Sequence, residues 1–115
     1  MNESGKRIPK VFIVEHQPFD YSPASTYGEF VVLKADKLAP NAPDDDHNSH
    51  VVKALRHQMA TYEPGFDYVI PTGMPSRIML IGILMKERAS GKTEYHNILG
   101  WDARTSRYLN YKVKM

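Results

Sequence analysis

The segment 71–77 carries residue types that bind anions. Thr72 and Ser76 offer hydroxyl donors, and Gly73 lets a ligand approach the backbone closely. Arg77 adds a positive charge. Because the segment joins a predicted strand to a predicted helix, backbone N–H groups at the helix start would face a ligand there. The pattern predicts a binding site for a phosphorylated nucleotide. The alternative is a plain strand-to-helix turn, which is common in α/β proteins.

Three aromatic residues, Phe19, Tyr21 and Tyr27, lie on or beside a proline-rich loop at 18–23. Aromatic side chains presented on loops often anchor a partner protein, because they bury a large surface when the partner binds. These residues are therefore the candidates for protein binding. The alternative is that they fold back onto the core.

A third pattern combines basic and aromatic residues near the C-terminus: Arg104, Arg107, Tyr108, Lys112 and Lys114. On a β-hairpin they could form one exposed stripe, and cations that flank a stacking aromatic bind single-stranded nucleic acids without sequence preference. The alternative is a charged edge strand that prevents aggregation. The net charge of +2, from 15 basic and 13 acidic residues, neither demands nor excludes a nucleic-acid partner.

Other chemistries find little support. The chain has no cysteine, which excludes disulfides, thiolate metal sites and cysteine nucleophiles. The acidic run Asp44–Asp46 with His47 and His50 matches no metal-ligand spacing. Ser90–Thr93 resembles the end of a phosphate-binding P-loop but lacks its leading glycine and precedes a strand. We therefore predict no metal and no cofactor, and catalysis is the last of the hypotheses.

The elements that must position these residues alternate between strands and helices. Hydrophobic patterning predicts strands over 10–15, 29–33, 66–70, 95–101 and 107–114, and helices from 48 or 49 to about 62 and over 75–89. Helices inserted between strands favour a partly parallel sheet with an antiparallel edge. We predict an α/β fold: a small single-core domain with a mixed, mostly parallel sheet of about five strands, two helices and a C-terminal β-hairpin.

The helix predicted over 75–89 is apolar nearly all round, so we expect it to be the most buried element. Gly82 in its middle weakens the helix by about 1 kcal/mol relative to alanine. A close approach of another backbone would explain that glycine.

A length of 115 residues fits one domain. The polar residues 1–9 predict a flexible N-terminal arm, with a single α/β domain over 10–115. The polar segment 34–48 is the best candidate for a mobile loop. No apolar run approaches the ~20 residues of a membrane span, and no signal peptide is evident, so we expect no membrane association.

Several segments together resemble a family of small proteins of tailed bacteriophages whose biochemical function is not established. The resemblance is carried in order by residues 10–15, 22–24 with 27–29, 62–64 with 67–75, and 98–102 with 107–108. Where that family has an acidic residue after the glycine, this chain has Met74. The resemblance implies a phage product that acts in the host cytoplasm.

The resemblance also implies that such proteins act by binding. The first hypothesis is a non-catalytic binding module for a host or phage protein. The alternatives are a binder of phosphorylated nucleotides at 71–77 and a binder of single-stranded nucleic acid through the hairpin. The oligomeric state stays open, with a dimer through the hairpin edge as one option.

Overall fold

The computed structural model describes residues 7–41, 46–89 and 95–114. The strands are β1 (Lys10–Ile13), β2 (Glu29–Val32), β3 (Tyr68–Ile70), β4 (Tyr95–Asp102) and β5 (Arg107–Lys114). The helices are α1 (Asp46–Gln58) and α2 (Pro75–Ala89), with short 3-10 helices at Ser22–Tyr27 and Met59–Thr61.

All five strands join one sheet in the order β2-β1-β3-β4-β5. β1 pairs in parallel with both β2 and β3, and β3 pairs in parallel with β4. β5 runs antiparallel to β4 and forms the edge of the sheet. The predicted α/β fold, with its mostly parallel sheet and C-terminal hairpin, is confirmed.

The two faces of the sheet are covered differently. Both α1 and α2 pack on one face, where Leu55 and Leu84 meet Phe12 and Val69 in a buried cluster. The other face is covered by the short helix Ser22–Tyr27 with the loop before it, and the cluster there includes Val11, Ile13, Ala24 and Leu99. Only a thin layer therefore shields this second face.

Some element bounds differ from the sequence-based expectation. The strand predicted over 66–70 begins at Tyr68, because the N–H groups of Phe66 and Asp67 both donate to the carbonyl of Glu63 in a turn. The first helix ends at Gln58 and tightens into the 3-10 turn, so it stops before residue 62. In both cases a local hydrogen-bonded turn shortens the element.

α2 has the predicted bounds, but its burial is not as predicted. Met79 and Ile83 are each more than half exposed, so the helix is not buried all round. Among the described residues, none outside its own helix turn has an atom within 4 Å of the position that a Cβ of Gly82 would occupy, so no other described backbone approaches it. None of the helices in the described ranges is both long and apolar enough to span a membrane.

Side chains of α1 hold the segment after β2. Gln58 accepts a hydrogen bond from the Lys34 N–H at 2.7 Å and donates to the Lys34 carbonyl at 2.5 Å. Asn48 does the same for Ala39, at 2.7 and 3.0 Å. The first part of the predicted mobile loop, residues 34–39, is thus bonded to α1, and residues 42–45 lie outside the described residues.

Asp67 is a buried residue directly before β3, at the edge of the sheet where the parallel strands begin. Its carboxylate accepts two hydrogen bonds from the Arg7 guanidinium, at 2.8 and 2.7 Å, and one each from the backbone N–H groups of Lys10 and Glu63. Because the carboxylate is fully buried, these four donors replace the water that it loses. The pair attaches the chain before β1 to the turn before β3.

Candidate functional site

Two loops separate at the carboxyl edge of the sheet, where β1 and β3 lie side by side. The chain leads from β1 to β2 on one side and from β3 to β4 on the other. In open α/β sheets this divergence leaves a crevice that commonly holds a ligand. The loop 14–21 follows β1, and the turn 71–74 follows β3.

The side chain of Glu15 occupies the N-terminal end of α2. Its Oε1 accepts a 2.8 Å hydrogen bond from the Met74 N–H, and its carbonyl accepts one of 2.8 Å from the Thr72 hydroxyl. Gly73 has a φ of +109° and packs so closely that a Cβ there would lie 2.2 Å from Glu15 Oε1. The positive end of α2 is therefore already next to a carboxylate of the protein itself.

Arg77 points away from the turn. Its guanidinium is buried and donates hydrogen bonds of 2.9 Å to the carbonyls of Ala35 and Asp36, in the segment after β2. Ser76 is exposed in the first turn of α2. The predicted cation of the anion site thus links α2 to the neighbouring segment.

A cleft of about 820 Å³ opens beside this turn, over the ends of β3 and β4. Its floor contains the buried residues Ile70 and Leu99. Its walls include Phe19 and Trp101, which are 59% and 50% exposed. We call it the aromatic cleft. It is lined by Pro18, Phe19, Asp20, Pro23, Ile70, Pro71, Thr72, Leu99, Gly100, Trp101, Ser106 and Tyr108.

Tyr21 anchors the loop that carries Phe19. Tyr21 is buried, and its hydroxyl accepts a 3.0 Å hydrogen bond from the Gln17 N–H and lies 3.5 Å from Thr72 Oγ1. The Phe19 ring packs edge-on against the Tyr21 ring, with 6.3 Å between centroids. A buried tyrosine therefore fixes an exposed phenylalanine at the cleft.

Trp101 is positioned by the hairpin. It lies opposite Tyr108 in the β4–β5 register, and the two rings pack edge-to-face with centroids 5.1 Å apart. Tyr108 is buried, and its carbonyl accepts a 2.9 Å hydrogen bond from the half-buried Tyr27. Tyr21 and Tyr27, predicted as protein-binding residues, are not among the lining residues and instead contact Phe19 and Tyr108, which line the cleft.

Asp20 gives the cleft a negative charge. Its carboxylate accepts a 3.0 Å hydrogen bond from the Ser22 N–H, and the hydrogen bonds from Ser22 lower the pKa of Asp20. The pKa of Tyr108 is raised, mainly by burial and to a smaller extent by the negative charges of the nearby Tyr21 and Asp20. Within the described part of the chain, no lysine, arginine or histidine lines this cleft.

The model of the family described as "Phage Pam3 gp32-like protein" matches residues 9–115, a range that includes the whole cleft. The chain belongs to this family. It is therefore a phage protein, as the resemblance predicts. No curated protein and no solved structure matches the chain.

In this Pam3 gp32-like protein the cleft is lined by one residue from each of the three predicted sites: Phe19 (protein binding), Thr72 (nucleotide binding) and Tyr108 (nucleic-acid binding). Trp101 and Asp20 were not among the predicted site residues. Alternation along β4 places Trp101 on the same face as Leu99, and the hairpin register places it beside Tyr108. That pattern was available in the sequence, but a lone tryptophan is more often buried in a core.

The predicted basic stripe divides into two groups. Arg104 and Arg107 lie at the turn of the hairpin, and Arg104 Nε is 3.9 Å from Asp102. Lys112 and Lys114 lie toward the other end of β5, where both ammonium groups are within 6 Å of the Tyr95 ring centroid. With a strand rise of about 3.4 Å per residue, Arg107 and Lys112 are roughly 17 Å apart along β5.

Tyr62 and His96 form a buried polar pair outside the cleft. The Tyr62 hydroxyl forms a buried 2.5 Å hydrogen bond with His96 Nδ1, and burial, with a smaller effect of the Asp67 charge, raises the pKa of Tyr62. No group of three or more histidine and acidic side chains could hold a metal ion among the residues described. Asp44, Asp45 and residues 90–93 lie outside them.

Proposed function

We propose that this phage protein is a non-catalytic binding module that engages a host or phage protein through the aromatic cleft, in the host cytoplasm. One observation carries the proposal: Phe19 and Trp101 stay largely exposed above an apolar floor. A few residues supply most of the binding energy in protein interfaces, and tryptophan and other large anchors are frequent among them. Because buried tyrosines hold both side chains in place, little conformational freedom would be lost when a partner binds.

The chemistry of the lining favours binding over catalysis. The hydroxyl of Thr72 donates to the Glu15 carbonyl, so no base activates it as a nucleophile. The one carboxylate, Asp20, is exposed and bonded to Ser22, and a second carboxylate is absent from the described lining residues. A cleft of this volume is within the usual range for ligand sites.

Affinity capture from phage-infected host cells tests the proposal. We expect the wild-type protein to retain a specific partner and Phe19→Ala to lose it, since removal of an aromatic anchor typically costs about 2 kcal/mol or more of binding energy, which is roughly thirtyfold in affinity. Trp101→Ala should have the same effect. The purified partner should then bind wild-type protein in a calorimetric titration and bind both variants far more weakly.

Phe30→Ala is the matched control, because Phe30 is a partly exposed phenylalanine on β2, outside the cleft lining. It should retain the partner. Melting temperatures of all three variants would show that each is folded. Capture that survives both cleft substitutions would contradict the proposal.

The nucleotide alternative predicts a different result. A nucleotide present at 100 times its dissociation constant would stabilise the protein by about 2.7 kcal/mol. We expect no such stabilisation, because a phosphate at the start of α2 would meet the Glu15 carboxylate. A melting temperature that rises with a nucleoside triphosphate would favour the alternative.

A further inference from the structure

We propose that the aromatic cleft binds a cationic side chain of the partner, an arginine in preference to a lysine, flanked by apolar residues. This inference rests on the proposed function and names the chemistry of the group that the cleft takes. It follows from the charge of the lining, from its exposed rings and from the positions of the protein's own cations.

The charge of the lining is negative. Asp20 contributes a carboxylate, and the described lining residues include no basic side chain to neutralise it. Glu15 lies in a neighbouring pocket that Lys37 also lines, so the charge of the cleft rests on Asp20. Asp20 would repel an anionic ligand and attract a cation.

The exposed rings provide a second attraction. Cations bind over aromatic faces, and tryptophan is the strongest of the aromatic partners. Trp101 and Phe19 are each at least half exposed and lie on the same cleft as Asp20. A planar guanidinium can stack flat on a ring while its edge donates to a carboxylate, and it is less strongly hydrated than an ammonium. Both properties favour arginine.

The cations of the described residues that contact aromatic rings lie over other rings. Arg7 lies 4.7 Å from the Phe66 ring centroid, and Lys112 lies over Tyr95. No basic side chain of the described ranges lies over Trp101 or Phe19 in the same way. The aromatic surfaces beside Asp20 are therefore available to a cation from another molecule.

The volume of the cleft indicates what surrounds that cation. About 820 Å³ exceeds the space that one side chain fills, so residues on either side of the arginine would also enter. Pro18, Pro23 and Pro71 present apolar surface there. An arginine flanked by apolar residues fits this lining.

Blocked tripeptides test the inference. The probes are acetyl-Leu-Arg-Leu-amide and its neutral counterpart with glutamine in place of arginine. Trp101 is the only tryptophan of the chain, so its fluorescence reports occupancy of the cleft directly. We expect the arginine peptide to bind at least about fivefold more tightly than the glutamine peptide, and more weakly as salt is added.

Asp20→Asn isolates the charge. Asparagine keeps an oxygen that can accept the Ser22 N–H, so the loop should retain its conformation. The variant should lose most of the preference for arginine, about fivefold, and bind the glutamine peptide as before. Asp36→Asn, which removes an exposed carboxylate outside the cleft lining, should bind both peptides like the wild type.

Equal affinity for the two peptides, or an arginine preference that is undiminished in Asp20→Asn, would overturn the inference. Absence of any fluorescence change with the arginine peptide at about 10 mM would also overturn it, since affinity weaker than that is not recognition. Partner capture that depends on Phe19 but not on Asp20 would reject the cation and keep the proposed function. Capture that depends on neither residue would reject the proposed function itself.

Discussion

Glu15 and Gly73 depend on each other at the carboxyl edge of the sheet. The glycine has a positive φ and leaves the space that the Glu15 side chain fills, and the carboxylate in return receives the Met74 N–H. Any side chain at position 73 would be strained in its backbone and would displace Glu15. Gly73 was predicted to let a ligand approach the backbone, but the Glu15 side chain occupies that space.

Gly73→Ala should therefore destabilise the protein by about 2–4 kcal/mol, through backbone strain and overpacking. Gly82→Ala is the matched control, because a Cβ there meets nothing within 4 Å. It should stabilise the protein by about 0.5–1 kcal/mol through helix propensity. Urea unfolding of both variants measures the two changes, and a shift of the same sign in both would contradict this account.

Asp67 and Glu63 both contact Arg7, one from a buried and one from an exposed position, so they can be compared. Asp67→Asn should cost about 2–4 kcal/mol, since an amide replaces a buried carboxylate that accepts four hydrogen bonds. Glu63 is exposed and 3.6 Å from Arg7. Glu63→Gln should cost less than about 1 kcal/mol in the same denaturation experiment. Similar costs for the two variants would show that burial is not the deciding factor.

The bounds of helices and strands could be predicted where the sequence carries a residue type that marks the end of an element. α2 has its predicted bounds, 75–89, because a proline at its first position and basic residues in its last turn mark the ends. β5 also has its predicted bounds, since its alternation is regular. The start of β3 was missed because the turn that Pro64 and Gly65 mark extends to Asp67, whose N–H also donates to the Glu63 carbonyl.

The segment 34–39 shows what a composition-based prediction overlooks. It is polar and not part of the sheet, yet Gln58 and Asn48 satisfy its backbone groups. Gln58→Ala should remove this restraint at Lys34 while α1 stays folded. Amide hydrogen exchange at Lys34 should accelerate by about fivefold or more, as loss of a net 1 kcal/mol of hydrogen bonding implies. His57→Ala, an exposed neighbour on α1, should leave that exchange rate unchanged.

At the scale of the whole molecule, the candidate site could not be predicted from the sequence. The lining of the aromatic cleft comes from four separate segments, 18–23, 70–72, 99–101 and 106–108. They meet only because β3 lies between β1 and β4 in the sheet order. Local pattern gave the type of each strand but not its neighbours, so Phe19 and Trp101 could not be placed together.

Stability at alkaline pH is also a property of the whole molecule. The pKa values of Tyr62 and Tyr108 are both raised, first by burial, so the folded state holds these protons more tightly than the unfolded chain. Their contribution to stability is complete below a pH of about 10, the ordinary tyrosine pKa, and is lost as the pH rises through the folded-state values. We expect the free energy of unfolding to fall steeply in that range.

Tyrosinate absorbance during an alkaline titration measures this effect. Tyr62 and Tyr108 should ionise above the ordinary tyrosine pKa, and Tyr62 should ionise together with unfolding. Tyr62→Phe should flatten the alkaline loss of stability, while its lost hydrogen bond to His96 costs about 1–2 kcal/mol at neutral pH. Ionisation of Tyr62 and Tyr108 near the ordinary tyrosine pKa would contradict the expectation.

The unequal cover of the two sheet faces has a consequence for evolution. The helices of one face hold the main core, whereas Phe19 and Asp20 are exposed on the loop that leads into the short cover of the other. Under the proposed function, substitutions on that loop would change what the cleft recognises and leave the packing of α1 and α2 untouched. A phage lineage that meets an altered host protein would then change its specificity through a few loop positions, with the scaffold inherited intact.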